Sequence, residues 1–543
     1  MKTCLRFFLA TILSHSILFS MAQNVGIGII TPAGKLHIKG STDVSQLIID
    51  AHSTQGNTSP LIRFRNSSGL DLMWLHSDDS TNCYVGLHAG RLNNRIGGGT
   101  YNTFIGSNTG FSNTTGNSNT ANGYGALYSN ISGSYNTANG YGSLYSNISG
   151  SYNTANGSYA LNTNNIGEGN TATGTNALTS NTSGGNNTAE GLNALQANTT
   201  GINNTATGAL ALQYNTTGNN NAAHGMYTLY LNTTGSNNTA IGFATLYSNT
   251  TGGSNTAIGL GGLNYNTTGN NNTSNGSYAM YSNNSGNSNT ASGYNSLYTN
   301  TTGNFNTAIG SETLYHNTDG HDNSAHGNYA LYLNTTGNNN TGEGAYALSL
   351  NVGGTYNTAL GAYSGVASGF PNLSNTTAIG YNATVNANNK VRIGNSDITV
   401  IEGQVDFSWP SDGRFKENIR DDVKGLEFIM KLKPVSYNFN RLKYAQYIGE
   451  SVIPENEKNL QEKSQIRTVG FIAQEVEKTI QQIGFTSFDA VHAPTNESDT
   501  YSMGYAEFVV PIIKAIQEQV NIIDNQNALI KDLLKRIEAL EIK

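Results

Sequence analysis

Asn238-Thr-Ala-Ile-Gly-Phe-Ala-Thr-Leu-Tyr-Ser-Asn-Thr-Thr-Gly-Gly-Ser254 is one turn of a strict seventeen-residue period. Its leading Asn recurs sixteen times, from Asn102 to Asn357. A Gly follows each of these Asn four residues later, from Gly106 to Gly361, without exception. Eight residues after the Asn stands Leu, or Met280 once, except in the first and last units, which carry Gly110 and Gly365. A second Asn stands eleven residues after, missing only at Ser368. So strict a period means stacked copies of one small unit. Seventeen residues are too few for two helices and a turn, but they suffice for two short strands and two turns. Each unit therefore reads as one coil of a parallel β-solenoid. Leu127 through Leu348 form its core stripe, and Asn and Gly lie at turns because they tolerate positive φ. One coil buries about one Leu and two Ala. That is worth a few kcal/mol, against a backbone ordering cost of ~1–2 kcal/mol per residue. Packing three chains along their length would bury a second face.

The composition of the body narrows its chemistry. Charged residues make up 11% of the chain, against about 25% in ordinary soluble domains. No Lys or Arg occurs between Arg95 and Lys390, and the formal net charge is −7, which argues against a nucleic-acid partner. A hydrolytic head needs paired carboxylates. Residues 101–375 offer Glu168, Glu190, Glu312, Asp319, Asp322 and Glu343, of which only Asp319 and Asp322 stand close, at a turn. The repeat-locked Asn-x-Thr tripeptides read as turns rather than glycosylation acceptors. Tyr230, Tyr247, Tyr281, Tyr298, Tyr315 and Tyr332 share one repeat position and read as a packed ladder rather than a sugar platform. His224 and His326 lie six coils apart, too far to share a metal. Cys4 and Cys83 are the only cysteines, so no disulfide framework or cysteine metal cluster is expected, and no cofactor.

Asn238–Gly242, Asn255–Gly259 and Asn306–Gly310, each Asn-Thr-Ala-Ile-Gly, resemble the head repeats of trimeric autotransporter adhesins. That resemblance implies a trimeric β-roll, although those heads more often repeat at about fourteen residues. Before the body, residues 1–22 read as a secretory signal. Lys2 and Arg6 form its basic start, Phe7–Leu18 its apolar run, and Ser20-Met-Ala22 its small-residue cleavage site. Residues 23–100 read as a β-rich cap with strands around Val25–Ile38, at Leu47–Asp50 and at Leu61–Arg65. Val25–Ile38 resembles the opening of many secreted and phage tail-fibre-like proteins. After the body, 376–410 reads as a β connector, with strand-like Lys390–Gly394 and Ile398–Gly403. No stretch beyond the leader approaches the ~20 apolar residues of a membrane helix.

From 411 to 543 the composition becomes ordinary, an α+β domain in pattern. Val423–Leu432 reads as a helix and Val435–Phe439 as a strand. Val469–Glu477 reads as a strand running into a helix, and Tyr505–Ile542 as one long helix. Within that helix Ile516, Val520, Ile523, Asn527, Ile530, Leu534 and Ile537 alternate at spacings of four and three, the seam of a coiled coil over 512–542. Ser411–Ile419, Leu432-Lys-Pro434 and Gly470-Phe-Ile-Ala-Gln-Glu-Val476 together resemble the intramolecular chaperone and self-cleaving peptidase domain of endosialidases and phage tail spikes, found also in the membrane-bound myelin regulatory factor. The resemblance implies a domain that trimerises, drives folding of the fibre before it, and then cuts itself off. It places the nucleophile on Ser411, its partner on Lys416 and the scissile bond at Pro410–Ser411. The chemistry suits the pair. A serine hydroxyl needs a base, and a lysine serves when burial makes it neutral.

The resulting expectation is a mainly β, secreted or cell-surface, homotrimeric fibre of adhesin type. Its only reaction is on itself, and surface glycans or host ligands are its candidate external partners. The alternative is a phage-derived tail fibre, or a fibre whose body binds or hydrolyses glycans.

Overall fold

The computed structural model describes residues 25–27, 36–38, 47–50, 56, 58–404, 408, 410–497 and 499–542. The leader read over 1–22 lies outside the described residues. Two compact units divide the chain, one up to Tyr152 and the other from Asn153 onward.

In the first unit, Val25–Ile27 pairs with Leu36–Ile38 in parallel. Leu47–Asp50 forms no strand. Ile62–Arg65 and Asp71–His76 make an antiparallel pair. Cys83–Val85 is the junction between two kinds of sheet. It pairs antiparallel with Asp71–His76 and parallel with Thr103–Ile105, and the parallel ladder then runs to Thr137–Asn139. Coils therefore begin before the strict period does. The first two coils solve the core differently from the rest. Where later coils have a small residue on the strand and a Leu opposite, these have Tyr84 and Phe104 on the strand and Gly90 and Gly110 opposite. A Cβ on Gly110 would lie 2.5 Å from the Phe104 ring. The two rings stack 5.5 Å apart and are almost fully buried.

In the second unit each strand, from Thr154–Asn156 to Thr358–Leu360, pairs in parallel with the strand one repeat on, Thr171↔Thr188 and Ala172↔Ala189 being typical. The ladder continues past the strict period through Thr377–Ile379 to Val391–Ile393. Each coil holds one three-residue strand, not the two expected. The reason is the left-handed residue at the core position, Leu in most coils and Gly110, at φ +56°, in the first. Leu127 through Leu348, with Met280, have φ of +50° to +52°. A left-handed residue breaks a strand, and for Leu it costs roughly 1–2 kcal/mol. Complete burial of the side chain, worth about 1.5–3 kcal/mol, offsets it. A second strand appears only where Leu is gone: Gly365–Val366 pairs with Thr384–Val385 in the last coils.

Hydrogen bonds between coils fix the register. In the coil opened by Asn238, the Asn238 backbone N–H donates to Asn221 Oδ1 at 3.1 Å and its Nδ2 to Gly252 O at 2.9 Å. Asn249 Nδ2 donates to Asn232 Oδ1 at 2.7 Å and to Gly252 O at 2.9 Å. Both Asn columns are fully buried, which shields column acceptors such as Asn249 of Asn249-Thr-Thr251, whereas Asn237 of Asn237-Asn-Thr239 is exposed. Gly242 has φ +135°, and a Cβ there would run into the backbone of Gly259 in the next coil. Hence this position never varies through the sixteen units.

The C-terminal region holds α1 (Leu426–Ile429), α2 (Arg441–Tyr447), α3 (Pro454–Lys463), α4 (Ala473–Gln482) and α5 (Val509–Glu541). The helix expected at Val423–Leu432 is cut to one turn between Gly425 and the run to Pro434, and α2 and α3 had no clear periodic signal. Ile398–Gly403 forms no strand. Val435–Asn438 pairs antiparallel with Arg467–Gly470, and Val491–His492 with Ser502–Met503. A small core of Phe428, Val476, Ile480, Phe485, Ala490 and Phe508 holds these together. Helix α5 buries only Pro511 and Ala515. Every described residue from Gln519 to Ile542 is exposed, the whole seam from Val520 to Ile537 included. No helix among the described residues is long and apolar enough to cross a membrane.

Candidate functional site

Ser-Asp-Gly is a turn sequence, because Asp bonds its own backbone two residues on and Gly relaxes the chain. Here Asp412 caps a single 3-10 turn, Gly413–Phe415. Its Oδ1 accepts from the Arg414 backbone N–H at 2.9 Å, and its Oδ2 from Arg414 Nε at 2.9 Å and Nη2 at 2.6 Å. Lys416 closes the turn, its N–H reaching Gly413 O at 3.2 Å. The reversal brings residues five apart face to face. Lys416 Nζ donates to Ser411 Oγ at 2.7 Å. The sequence-expected pair is thus brought together by one turn. Pro410, the other side of the expected cleavage bond, is described and exposed, as is every residue from 410 to 422.

The clamp residues Asp412 and Arg414 were not singled out from sequence, although Asp-Gly is a legible turn signal. The Arg414 side chain, then its backbone N–H, holds the Asp412 carboxyl below its ordinary range. Asp412 therefore stays ionised and keeps the turn closed at neutral pH. An amine that takes the hydroxyl proton must be neutral. Acting as a base requires desolvation, and in the single chain both side chains face solvent.

The segment after the pair is tied to α5. Lys514 Nζ reaches Asp421 Oδ1 at 2.9 Å, and Glu518 Oε2 accepts from the Leu426 N–H at 2.7 Å, satisfying the start of α1. Gly425 lies so close that a Cβ would sit 2.7 Å from Ala515 N. The arm bearing Ser411 and Lys416 is therefore fastened to the helix that carries the exposed seam. Phe415 and Ile419, on the arm itself, are 82% and 79% exposed, and the Arg414 guanidinium lies over the Phe415 ring. An open groove of about 720 Å³ lies in the same region, lined by aromatics including Tyr437, Tyr444, Phe471 and Tyr505. Neither Ser411 nor Lys416 lines it.

The body offers no comparable chemistry among its described residues. No group of His, Cys, Asp and Glu there could hold a metal. Glu343 is engaged with His326 of the preceding coil, 2.8 Å away. Tyr281, Tyr298 and Tyr315 stack on one another at 5.2 and 5.1 Å, nearly parallel. Their faces are used in the ladder, and the Tyr281 hydroxyl is engaged with Tyr265.

A peptidase family model described as the chaperone of endosialidase matches residues 411–485. The match begins on Ser411. It supports an intramolecular chaperone domain in the C-terminal region, after the β-solenoid body. It also implies self-association and a peptidase activity directed at its own chain. No curated protein and no solved structure matches the chain significantly.

Proposed function

We propose that the protein is a secreted or cell-surface fibre that assembles as a homotrimer. Its C-terminal domain sets three chains in register and then cuts its own chain at Pro410–Ser411. The export part of this reading is supported by the leader pattern of residues 1–22. The assembly part is supported by the exposed seam of α5, with Asn527 as the buried polar position that selects register once chains pair.

The cut is supported by the 2.7 Å contact between Lys416 Nζ and Ser411 Oγ. Assembly would cover the arm through Phe415 and Ile419, desolvate Lys416 and favour its neutral form. Neutral Lys416 then takes the Ser411 hydroxyl proton as Oγ attacks the Pro410 carbonyl carbon. The C–N bond breaks, the Ser411 nitrogen takes up the proton as a free amine, and an ester joins Pro410 to Ser411 Oγ. Water cleaves the ester, giving a Pro410 carboxylate and restoring the Ser411 hydroxyl. Tying the base to burial makes the cut wait for correct assembly.

The test is a denaturing gel of purified wild type, Ser411→Ala and Lys416→Met. Wild type yields two fragments, divided at 410/411 by N-terminal sequencing, and both variants stay full length. Two fragments from Ser411→Ala would overturn the mechanism.

A further inference from the structure

The return of basic residues at Lys390 and Arg392 ends a stretch without Lys or Arg that began after Arg95. Neither residue is used by the cleavage site. Both point from the last coil of the body into the C-terminal domain. Arg392 Nη2 pairs with Glu450 Oε1, and Glu450 also accepts from the Ser396 backbone N–H at 3.1 Å. Lys390 Nζ lies 2.8 Å from Asp499 Oδ1. A third pair has the opposite polarity: Asp397 on the body side meets Lys463 of α3 at 3.4 Å. The side chains of Glu450 and Asp499 are 3% and 0% exposed. Backbone contact accompanies the charges. Gly449, at φ +76°, comes so near the body that a Cβ would lie 3.2 Å from Ala367 Cβ.

The scissile bond takes no part in this interface. Residues 401–404, 408 and 410–422 are exposed. Breaking Pro410–Ser411 therefore severs the covalent link and none of the three ion pairs. Separating the two surfaces would leave Arg392, Lys390, Glu450 and Asp499 to be resolvated from buried positions. The mixed polarity, two cations and one anion on the body against the reverse on the domain, fits one docked arrangement and opposes sliding. The domain meets the last ladder strand, Val391–Ile393, through the side chain of Arg392, while Val391 and Ile393 stay exposed.

We propose that the cut domain, residues 411–543, stays bound to the last coils of the repeat body as a non-covalent cap, held by Arg392–Glu450, Lys390–Asp499 and Asp397–Lys463. This rests on the self-cleavage reading, and it changes what cleavage accomplishes. The cut converts a tethered chaperone into a detachable one, and a separate event must remove it.

The experiment compares denaturing and native behaviour of the full chain. Wild type is expected to give two bands on a denaturing gel yet one particle by native mass measurement, at 0.15 M and at 0.5 M NaCl, because buried pairs are weakly screened. Glu450→Gln combined with Asp499→Asn is expected to cut equally but lose the 411–543 fragment, with binding weakened roughly 100-fold or more. Asp397→Lys should weaken retention without touching a fully buried group, and adding Lys463→Asp should restore it, which separates loss of the latch from misfolding. Release of the fragment from wild type at 0.15 M NaCl overturns the proposal. So does equal retention in all variants. A single wild-type band on the denaturing gel would instead refute self-cleavage. The latch is then tested in Ser411→Ala carrying a site-specific protease sequence between Gly403 and Trp409, with the same expectations after that protease is added.

Discussion

The repeat body and the C-terminal domain solve opposite problems. In the body every buried Asn is satisfied by the coils above and below, and each core Leu is fully covered by its own chain. Such a stack is content once formed, but each coil depends on its neighbours being in place, so starting it is the difficulty. The domain has a compact aromatic core around Phe428 and Phe508. It also exposes a 33-residue helix and the apolar arm residues Phe415 and Ile419. Contacts distant in sequence hold it together, Phe428 with Phe508 and Leu426 with Glu518. The difference shows why the two occur together. One part supplies order that propagates, and the other supplies an exposed apolar surface, which in the proposed function is where copies of the chain meet.

The comparison can be broken most severely on the helix. Ile523→Asp with Leu534→Asp puts two charges into the seam while leaving α5 and the domain core intact. Native mass measurement should then give single chains, and the yield of protease-resistant body should fall at least tenfold. A wild-type mass would mean that the seam is not where chains meet.

A smaller effect is expected inside the body. Leu246→Ala removes a fully buried side chain and leaves a cavity, worth about 2–5 kcal/mol. The loss should be local, because a stack melts between neighbouring coils. Hydrogen exchange is expected to speed up at the backbone amides of the adjoining coils and not in the domain core. A uniform change across both would show that body and domain unfold as one unit.

The smallest effect concerns the seam between the two regions. Burial raises the Asp499 carboxyl, but Lys390, the Thr495 N–H, His492 and the Thr500 N–H outweigh it and leave the group well below its ordinary value. A depressed folded value means stability that is fully present above the unfolded value of about 3.9 and is lost as pH falls through the folded one. Wild type should therefore outlast Asp499→Asn in thermal unfolding by a constant margin from pH 5 upward. The margin should shrink as pH drops below about 4. A margin that grows on acidification would reverse the sign of the linkage.

Much of this was legible in particular residues. The Asn, Gly and Leu columns announce stacked coils because each position meets its own copy one coil away, so a local requirement becomes a period. The Ser411 and Lys416 positions came from the family resemblance, and the structure adds that the Asp412-Gly413 turn brings the two side chains together. What escaped was the conformation of the leucines. Nothing in a Leu column distinguishes a strand position from a left-handed one, and the two-strand coil expected from length gave way to one strand and a chain of turns. Phe104 against Gly110 was half legible, the Gly visible in sequence and its ring partner not.

Sequence by itself determined the period and the stacking of like positions one repeat apart, because each follows from contacts within a few residues or one repeat. Tertiary structure alone decided how body and domain are joined. Arg392 meets Glu450 across 58 residues and Lys390 meets Asp499 across 109. No local pattern marks which of the domain's carboxylates will face a cation that far away. Those partners are chosen by where the last coil ends and where the loops after α2 and around Thr495 arrive, and that is settled only when the chain has folded.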